Sequence, residues 1–360
     1  MRVAVAMSGG VDSSLAAALL LEQGCEVVGL TMQLWPRERE DDMPPAMRGC
    51  CGLDAIDSAR RVARHLGIRH CVLNLREPFE RFVIDQFCDE YAAGRTPNPC
   101  IRCNTFVKFG PLLHRARQIG CEKLATGHYA RVEFDTSRDR WRLRRGADHS
   151  KDQSYSLYGL TQEQLSFALF PLGDLTKKET RQGAARLGLP AADRAESQEI
   201  CFISGEDYRQ YLTRRRPEVA VPGSIVDTKG REVGRHRGIA FYTVGQRKGL
   251  GIAAAKPLYV LSIDAQANRL VVGNEGEAAF KGLVMREVNY VSAPSLPAEG
   301  ADLTVKVRST ARPVACTARP QGSRVVVEFA QPERAVAPGQ AAVCYDGDTV
   351  ALGGIVESGF

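Results

Sequence analysis

Aromatic residues are scarce, at 7% of the 360-residue chain, and only two are tryptophans, Trp35 and Trp141. So isolated, they form no stacking platform of the kind that grips single-stranded nucleic acid. Long apolar runs are also missing. The run Val11 to Leu21 meets Glu22 well short of the roughly 20 residues that a bilayer crossing needs. The N-terminus enters a strand at once and carries no cleavable leader pattern, so a cytoplasmic setting without a membrane partner is the default. There is no internal repeat, no low-complexity tract and no second Cys-x-x-Cys, and the lysine and spacing of a Walker loop are absent.

What is present describes a folded chain: 44% hydrophobic and 25% charged residues, with 48 basic against 42 acidic side chains and a net charge of +6. That balance is compatible with nucleic acid without proving it. The length implies two or three domains. Eleven cysteines at irregular spacing, an odd number without an export signal, argue against a disulfide scaffold. Cys25, Cys71, Cys88, Cys121, Cys316 and Cys344 read as core thiols.

The first two hundred residues alternate strand and helix. Arg2 to Met7, Glu26 to Leu34, His70 to Leu75 and Lys123 to Gly127 read as strands. Ser13 to Gln23, Leu53 to Leu66 and Phe79 to Tyr91 read as helices. That order predicts an α/β fold with a doubly wound parallel sheet. Pro36 to Pro45 reads as a surface loop. After about Cys201 the chain changes to short strands punctuated by glycine and proline, which predicts a small central β domain and a C-terminal β-barrel. The boundaries expected are 1–205, 206–275 and 276–360.

Strand one ends in Met7-Ser8-Gly9-Gly10-Val11-Asp12-Ser13-Ser14 and passes directly into a helix. Two glycines let the backbone approach an anion, and a helix start offers amide donors and a partial positive charge. Gly-Gly-x-Asp-Ser alone could be an ordinary strand-to-helix turn, but the whole string in this context reads as a phosphate cradle. It resembles the signature of the ATP pyrophosphatase (PP-loop) superfamily, whose members split ATP between the α- and β-phosphates and adenylate a substrate oxygen. The resemblance implies that Ala6, Met7, Ser8, Gly9, Gly10, Val11, Asp12 and Ser13 bind ATP, with Asp12 near Mg²⁺ and pyrophosphate. Met32 and Gly127 would lie around the adenine nucleotide.

In Thr96-Pro97-Asn98-Pro99-Cys100-Ile101-Arg102-Cys103-Asn104, two cysteines fall three apart on one side of a helical turn. Cys201, in Glu196-Ser197-Gln198-Glu199-Ile200-Cys201-Phe202, follows a polar run. A redox pair, a structural zinc site helped by Cys50-Cys51, inert core thiols and reactive thiolates all remain open on these patterns alone. Taken with Gly127-His128-Tyr129, Lys151-Asp152-Gln153-Ser154-Tyr155 and Thr243-Val244-Gly245-Gln246-Arg247-Lys248-Gly249-Leu250, the motifs resemble the tRNA-specific 2-thiouridylases over nearly the whole chain.

That resemblance implies an ATP-dependent sulfurtransferase acting on the wobble uridine, position 34, of tRNA Lys, Glu and Gln. Uridine O2 attacks the α-phosphate, and sulfur then displaces adenylate at C2, giving 2-thiouridine, AMP and pyrophosphate. Asp12, Cys103 and Cys201 would be catalytic. In one version Cys201 carries a persulfide supplied by a donor such as a cysteine desulfurase or relay protein, and Cys103 releases it, leaving a Cys103–Cys201 disulfide. In the other, Cys100, Cys103 and Cys201 hold three irons of a 4Fe–4S cluster, the fourth iron binding hydrosulfide. This second version explains Cys100 and is the one expected when iron is supplied.

From Arg209 to Lys256 there are 11 basic residues against three acidic ones, and Arg138, Arg140, Arg142, Arg144 and Arg145 lie on an expected hairpin. A solvated face is the ordinary reading of such runs, but beside an adenylating loop RNA phosphates become the expected partner. By resemblance Lys151, Asp152 and Gln153 contact tRNA near an extruded base. Arg308 and Ser309 would lie on a tRNA-contacting strand, where many relatives carry Arg-Tyr. His65, His70 and His114 read as structural, while His128 is balanced between a structural and a site role. Two other readings stay open: a PP-loop ligase using an amine nucleophile, and a tRNA-binding protein without chemistry.

Overall fold

The structure, a computed structural model, describes residues 1–34, 53–192, 200–203 and 207–360. Trp35, the 36–45 loop, Cys50, Cys51 and the 196–199 part of the Cys201 motif lie outside the described residues. By packing, the chain divides into two compact units. The first is Met1–Val83, Cys100–Gly205 and Asp348–Val350; the second is Ile84–Pro99, Glu206–Gly347 and Ala351–Phe360.

The first unit is built on five parallel strands: β1 (Arg2–Ala6), β2 (Glu26–Gln33), β3 (Arg69–Asn74), β4 (Lys123–Ala125) and β7 (Ala168–Leu169), in the order β3-β2-β1-β4-β7. The central strand reads Val3-Ala4-Val5 because it is covered on both faces, and all three residues are fully buried. Helix α1 (Val11–Glu22) buries Leu15 and Leu20, each contributing about 1.5–3 kcal/mol by removal from water. The order winds one way from β1 to β3 and the other from β1 to β4. A crevice therefore opens at the carboxyl ends of β1 and β4, where ligands bind in sheets of this kind.

Two expectations need correction here. The helix over Phe79 to Tyr91 is broken into Arg76–Phe79, a wide π-helical stretch Glu80–Asp85, and Gln86–Ala92. Cys71, on the outermost described strand β3, is exposed rather than in the core. Cys88, Cys121, Cys316 and Cys344 are buried as expected, and burial pushes the Cys88 thiol up to about 11. An antiparallel hairpin of β5 (Ala130–Asp135) and β6 (Arg140–Arg145) completes the unit's strands.

The second unit holds a four-stranded sheet and a barrel. The sheet is β8 (Gly223–Asp227), β9 (Glu232–His236), β10 (Tyr259–Asp264) and β11 (Arg269–Gly273), ordered β10-β11-β8-β9. The barrel strands are β12 (Ala279–Tyr290), β13 (Ala301–Lys306), β14 (Val314–Gln321), β15 (Arg324–Arg334), β16 (Ala341–Asp346) and β17 (Thr349–Gly359). They run β12-β15-β14-β13-β16-β17, and a further pairing of β12 with β17 closes the ring, leaving no open edge. Inward-facing Val305, Val325, Val327 and Leu352 fill it.

Candidate nucleotide and thiol site

The loop after β1 is held by its own hydroxyls. Ser13 Oγ and Ser14 Oγ donate to the Gly10 carbonyl at 3.1 and 2.8 Å, and the Ser8 amide donates to Ser13 Oγ at 3.2 Å. From outside the loop, Ser58 Oγ donates to the Gly9 carbonyl at 2.8 Å. With carbonyls pinned this way, the start of α1 faces the crevice, an arrangement suited to an anion. Gly9 has φ of +72°, and a Cβ there would sit 2.5 Å from the Ala55 carbonyl oxygen. At Gly127 a Cβ would meet the Ser13 amide nitrogen at 2.7 Å and the Asp12 carbonyl carbon at 2.8 Å, so only glycine lets the β4 end close over the loop.

Between these elements lies a crevice enclosing about 670 Å³ of empty space, part of it open to solvent. Its lining includes Ala6, Met7, Ser8, Asp12, Ser13, Met32 and Gly127, all expected from the sequence. Gly9, Gly10 and Val11 are not among the lining residues. Val11 instead joins the apolar cluster with Leu15, Tyr129 and Leu172. Gln153 lines the crevice too, and its Oε1 accepts from the Tyr129 amide at 3.0 Å. Asp152, expected to contact RNA, makes bonds within the chain. Its oxygens accept from the Gly146 and Ser154 amides at 3.2 and 3.0 Å and from Ser154 Oγ at 3.0 Å, so it ties a turn together. Lys151, beside it, is half-buried.

Sequence reasoning missed two cations. Lys177 places Nζ 2.7 and 2.9 Å from the two carboxylate oxygens of Asp12, and Tyr129 Oη donates to Asp12 Oδ1 at 2.8 Å. The Lys177 side chain is 12% exposed and that of Asp12 is 32% exposed, so water screens the pair only in part. A signal for it exists in Thr176-Lys177-Lys178-Glu179: a capping box fixes the helix start at Thr176, and a lysine in the first helical position opposes the helix dipole unless a carboxylate waits for it. Lys108 is the second cation. It lines the crevice, and its Nζ donates to Asn104 Oδ1 at 2.9 Å, while Asn104 Nδ2 donates to the Ser156 carbonyl at 3.0 Å.

This second contact ties the crevice to Asn104, the residue that follows Cys103. Cys103 ends the short helix Pro99–Cys103 and is followed by a π-helical stretch, Asn104–Leu112. Lys108 lies five residues further on, within that stretch. Cys103 is buried, Cys100 exposed and Cys201 half-buried, with neighbouring Phe202 packed edge-on against Phe79 at 5.8 Å. No disulfide joins Cys103 and Cys201. Nor do Cys100, Cys103 and Cys201 gather as a metal-holding group: among the described residues no cluster of three or more His, Cys, Asp or Glu side chains has that arrangement. The three-thiolate ligand set for a 4Fe–4S cluster is therefore not assembled among the described residues. Mg²⁺ carried on phosphates fits better, since such an ion needs only a carboxylate or two and keeps several waters.

His128 lines the crevice, with Nδ1 2.7 Å from Thr126 Oγ1 and its ring edge-on to Phe170. Burial, followed by the nearby Lys108 cation, holds it well below its ordinary value of 6.5. The imidazole is then neutral in the folded protein and protonates more readily in the unfolded chain. Its contribution to stability is complete above pH 6.5 and is lost as pH falls below that value, by at most about 1.4 kcal/mol per pH unit. Unfolding midpoints in denaturant between pH 7 and 5 should show this slope, and it should shrink in His128→Asn. An unchanged slope in the variant would contradict the assignment.

The basic regions are less uniform than their counts imply. On the hairpin, Arg142 pairs with Asp135 at 3.3 Å and Arg144 with Glu133 at 3.2 Å. In the second unit Arg215 and Arg216 meet Asp85 and Asp89 at 3.5 and 2.9 Å, whereas Arg235, Arg237, Arg247, Lys248 and Lys256 are exposed. Arg308 and Ser309 are exposed as well. They sit in the turn after β13 rather than on a strand, because β13 ends at Lys306.

Three family descriptions match the chain: tRNA methyl transferase HUP domain over residues 1–205, tRNA methyl transferase PRC-barrel domain over 209–274, and aminomethyltransferase beta-barrel domain over 280–356. The chain is 52% identical over 355 residues to the tRNA-specific 2-thiouridylase MnmA of Moorella thermoacetica, covering 98% of this chain and 99% of the relative. It is 50% identical to the protein of that name from Heliobacterium modesticaldum, covering 98% and 92%, and 48% identical to that of Acetivibrio thermocellus, covering 99% of each. A crevice at the sheet's switch point, a serine-glycine loop beneath it and likeness along the whole chain agree: this protein belongs to the tRNA-specific 2-thiouridylase family.

Proposed function

We propose that the crevice binds ATP with its phosphates against Ser8 to Ser13, and that uridine 34 of tRNA Lys, Glu or Gln enters beside it. Uridine O2 attacks the α-phosphorus, the bond to the bridging oxygen breaks, and pyrophosphate leaves from an O2-adenylated base. Bound Mg²⁺ would neutralise charge on the phosphates. Loop amides and the ammonium groups of Lys108 and Lys177 are placed to stabilise the rest as it develops. Asp12 orients Lys177 until phosphate competes for it. The ATP pyrophosphatase relationship supports this use of ATP, and tRNA is the substrate that the family implies.

Sulfur arrives as a persulfide on Cys201 from a donor protein. Its terminal sulfur attacks C2, AMP leaves, and a Cys201–S–S–C2 adduct remains. The Cys103 thiolate then attacks Cys201 Sγ, and the electron pair of the broken S–S bond stays with the base as 2-thiouridine. The product disulfide, Cys103–Cys201, is reduced by an external dithiol. In this reading residues 206–275 and 276–360 are RNA-binding domains, with Arg235, Arg237, Arg247 and Lys248 contacting phosphates and Arg308 joining them.

The observation that carries the reading is the short helical path from Cys103 through Asn104 to Lys108 at the crevice. Anaerobic incubation with unmodified tRNA, ATP and a persulfide donor, followed by nucleoside mass analysis, should give 2-thiouridine with stoichiometric AMP. Pyrophosphate release without thiolated nucleoside would refute the sulfur-transfer step, and no tRNA-dependent pyrophosphate would refute adenylation.

A further inference from the structure

Beside Cys103 the first unit carries four flat groups in succession that the adenylation and sulfur-transfer steps leave unused. Phe106 is 37% exposed, and its ring stacks on Phe82 with centroids 5.7 Å apart and planes 21° from parallel. The Arg102 guanidinium lies 4.1 Å over the Phe106 ring, and its Nε donates to the Phe82 carbonyl at 3.3 Å. The Arg81 guanidinium sits 5.2 Å over the Phe82 ring. Arg102 and Phe106 are four residues apart, so consecutive helical turns bring them onto one face.

A single exposed phenylalanine needs no explanation. Two near-parallel rings backing two guanidiniums make a stack with planar, polarisable and positively charged ends, and a splayed nucleobase stacks on a guanidinium plane held flat by a ring while its phosphate meets the charge. Its position matters equally: Arg102 directly precedes Cys103, and Phe106 follows it by three residues. An enzyme that extrudes a base from a loop must hold the strand around the gap, and aromatic stacking does so without demanding one sequence.

We propose that Phe106 and Phe82, with Arg102 and Arg81, form a stacking platform for the unpaired nucleotide of the anticodon loop that flanks the uridine under modification. The inference rests on the tRNA reading above. The occupant is RNA rather than a protein partner because both charged members are cationic and both planar, matching a base and its phosphate together.

The test uses the full-length protein and a synthetic anticodon stem-loop. Stacking contributes about 1–3 kcal/mol per base, so Phe106→Ala should weaken stem-loop binding about five- to 150-fold while ATP affinity is unchanged. Phe106→Leu should lose as much as alanine, Phe106→Tyr should bind like the native chain, and Phe106→Trp should report the loop by quenched indole emission. Unchanged ATP affinity also certifies that each variant is folded. Stem-loop affinity within twofold of native in Phe106→Ala, or native-like binding by Phe106→Leu, overturns the platform. If the alanine variant keeps its RNA affinity but loses stimulation by the sulfur-donor protein, the surface belongs to that protein and the proposal also falls. If the native chain itself fails to bind the stem-loop, the RNA reading fails first, and the two failures are told apart.

Discussion

Replacing Asp12 with asparagine is expected to lower tRNA-dependent pyrophosphate release about 10²- to 10³-fold. Asparagine keeps the shape and can still accept from Tyr129 Oη, but it removes the charge that holds Lys177 Nζ at 2.7 Å. A group aimed at developing phosphate charge contributes on that scale when it is preorganised, and far less when it wanders. The same change leaves a largely buried ammonium facing a neutral amide. Removing one partner of a fully buried pair costs about 3–5 kcal/mol; partial exposure of Asp12 reduces this to about 1–2 kcal/mol. Lys177→Met should produce a similar rate loss, and the double variant should be little worse than either single one, since the two side chains act as a unit. Steady-state pyrophosphate release and denaturant midpoints on the four proteins measure both quantities. Turnover of Asp12→Asn within tenfold of native would remove this pair from the mechanism.

The second large effect separates adenylation from sulfur transfer. Cys201→Ser and Cys103→Ser should each abolish 2-thiouridine formation while leaving pyrophosphate release within a few-fold of native, because neither thiol touches the first step in the proposed sequence. A serine hydroxyl can neither carry a transferable sulfur nor attack an S–S bond at a useful rate. Cys100→Ser discriminates the carrier. Cys100 is exposed, and among the described residues it forms no metal-holding group with Cys103 and Cys201, so its loss should leave persulfide-driven thiolation within a few-fold of native. Nucleoside mass analysis of the three variants, with and without reconstituted iron, reads the result. Loss of all thiolation in Cys100→Ser would restore the three-cysteine cluster that the present arrangement does not support.

Much of the first unit is legible along the chain because its signals are local. Val3-Ala4-Val5 followed by Ser-Gly-Gly and an apolar helix can make only a buried strand, a tight turn and a covered helix, and the observed elements agree within a residue or two. The misread segment, Phe79 to Tyr91, keeps helical spacing throughout, so its pattern does not reveal the wide turns at Glu80–Asp85. In the barrel, β12, β14 and β17 carry little strand signal of their own in the sequence. Their inward residues, including Leu283, Cys316 and Val356, are interspersed with glycine, proline and charge, and such strands declare themselves only when neighbours close the ring.

By itself, the order of residues determined the α/β sheet, the Ser-Gly-Gly turn into α1, the Cys103 and Cys201 motifs and the family, because each is written in short stretches of neighbouring positions. Tertiary structure alone decided that Lys177 reaches Asp12 across 165 residues, that Asp152 braces a turn, that Val11 faces the core, and that Phe82 stacks on Phe106. Those facts concern groups brought together by the packing of the sheet and its helices, and no periodicity along a single segment encodes a meeting between two distant ones.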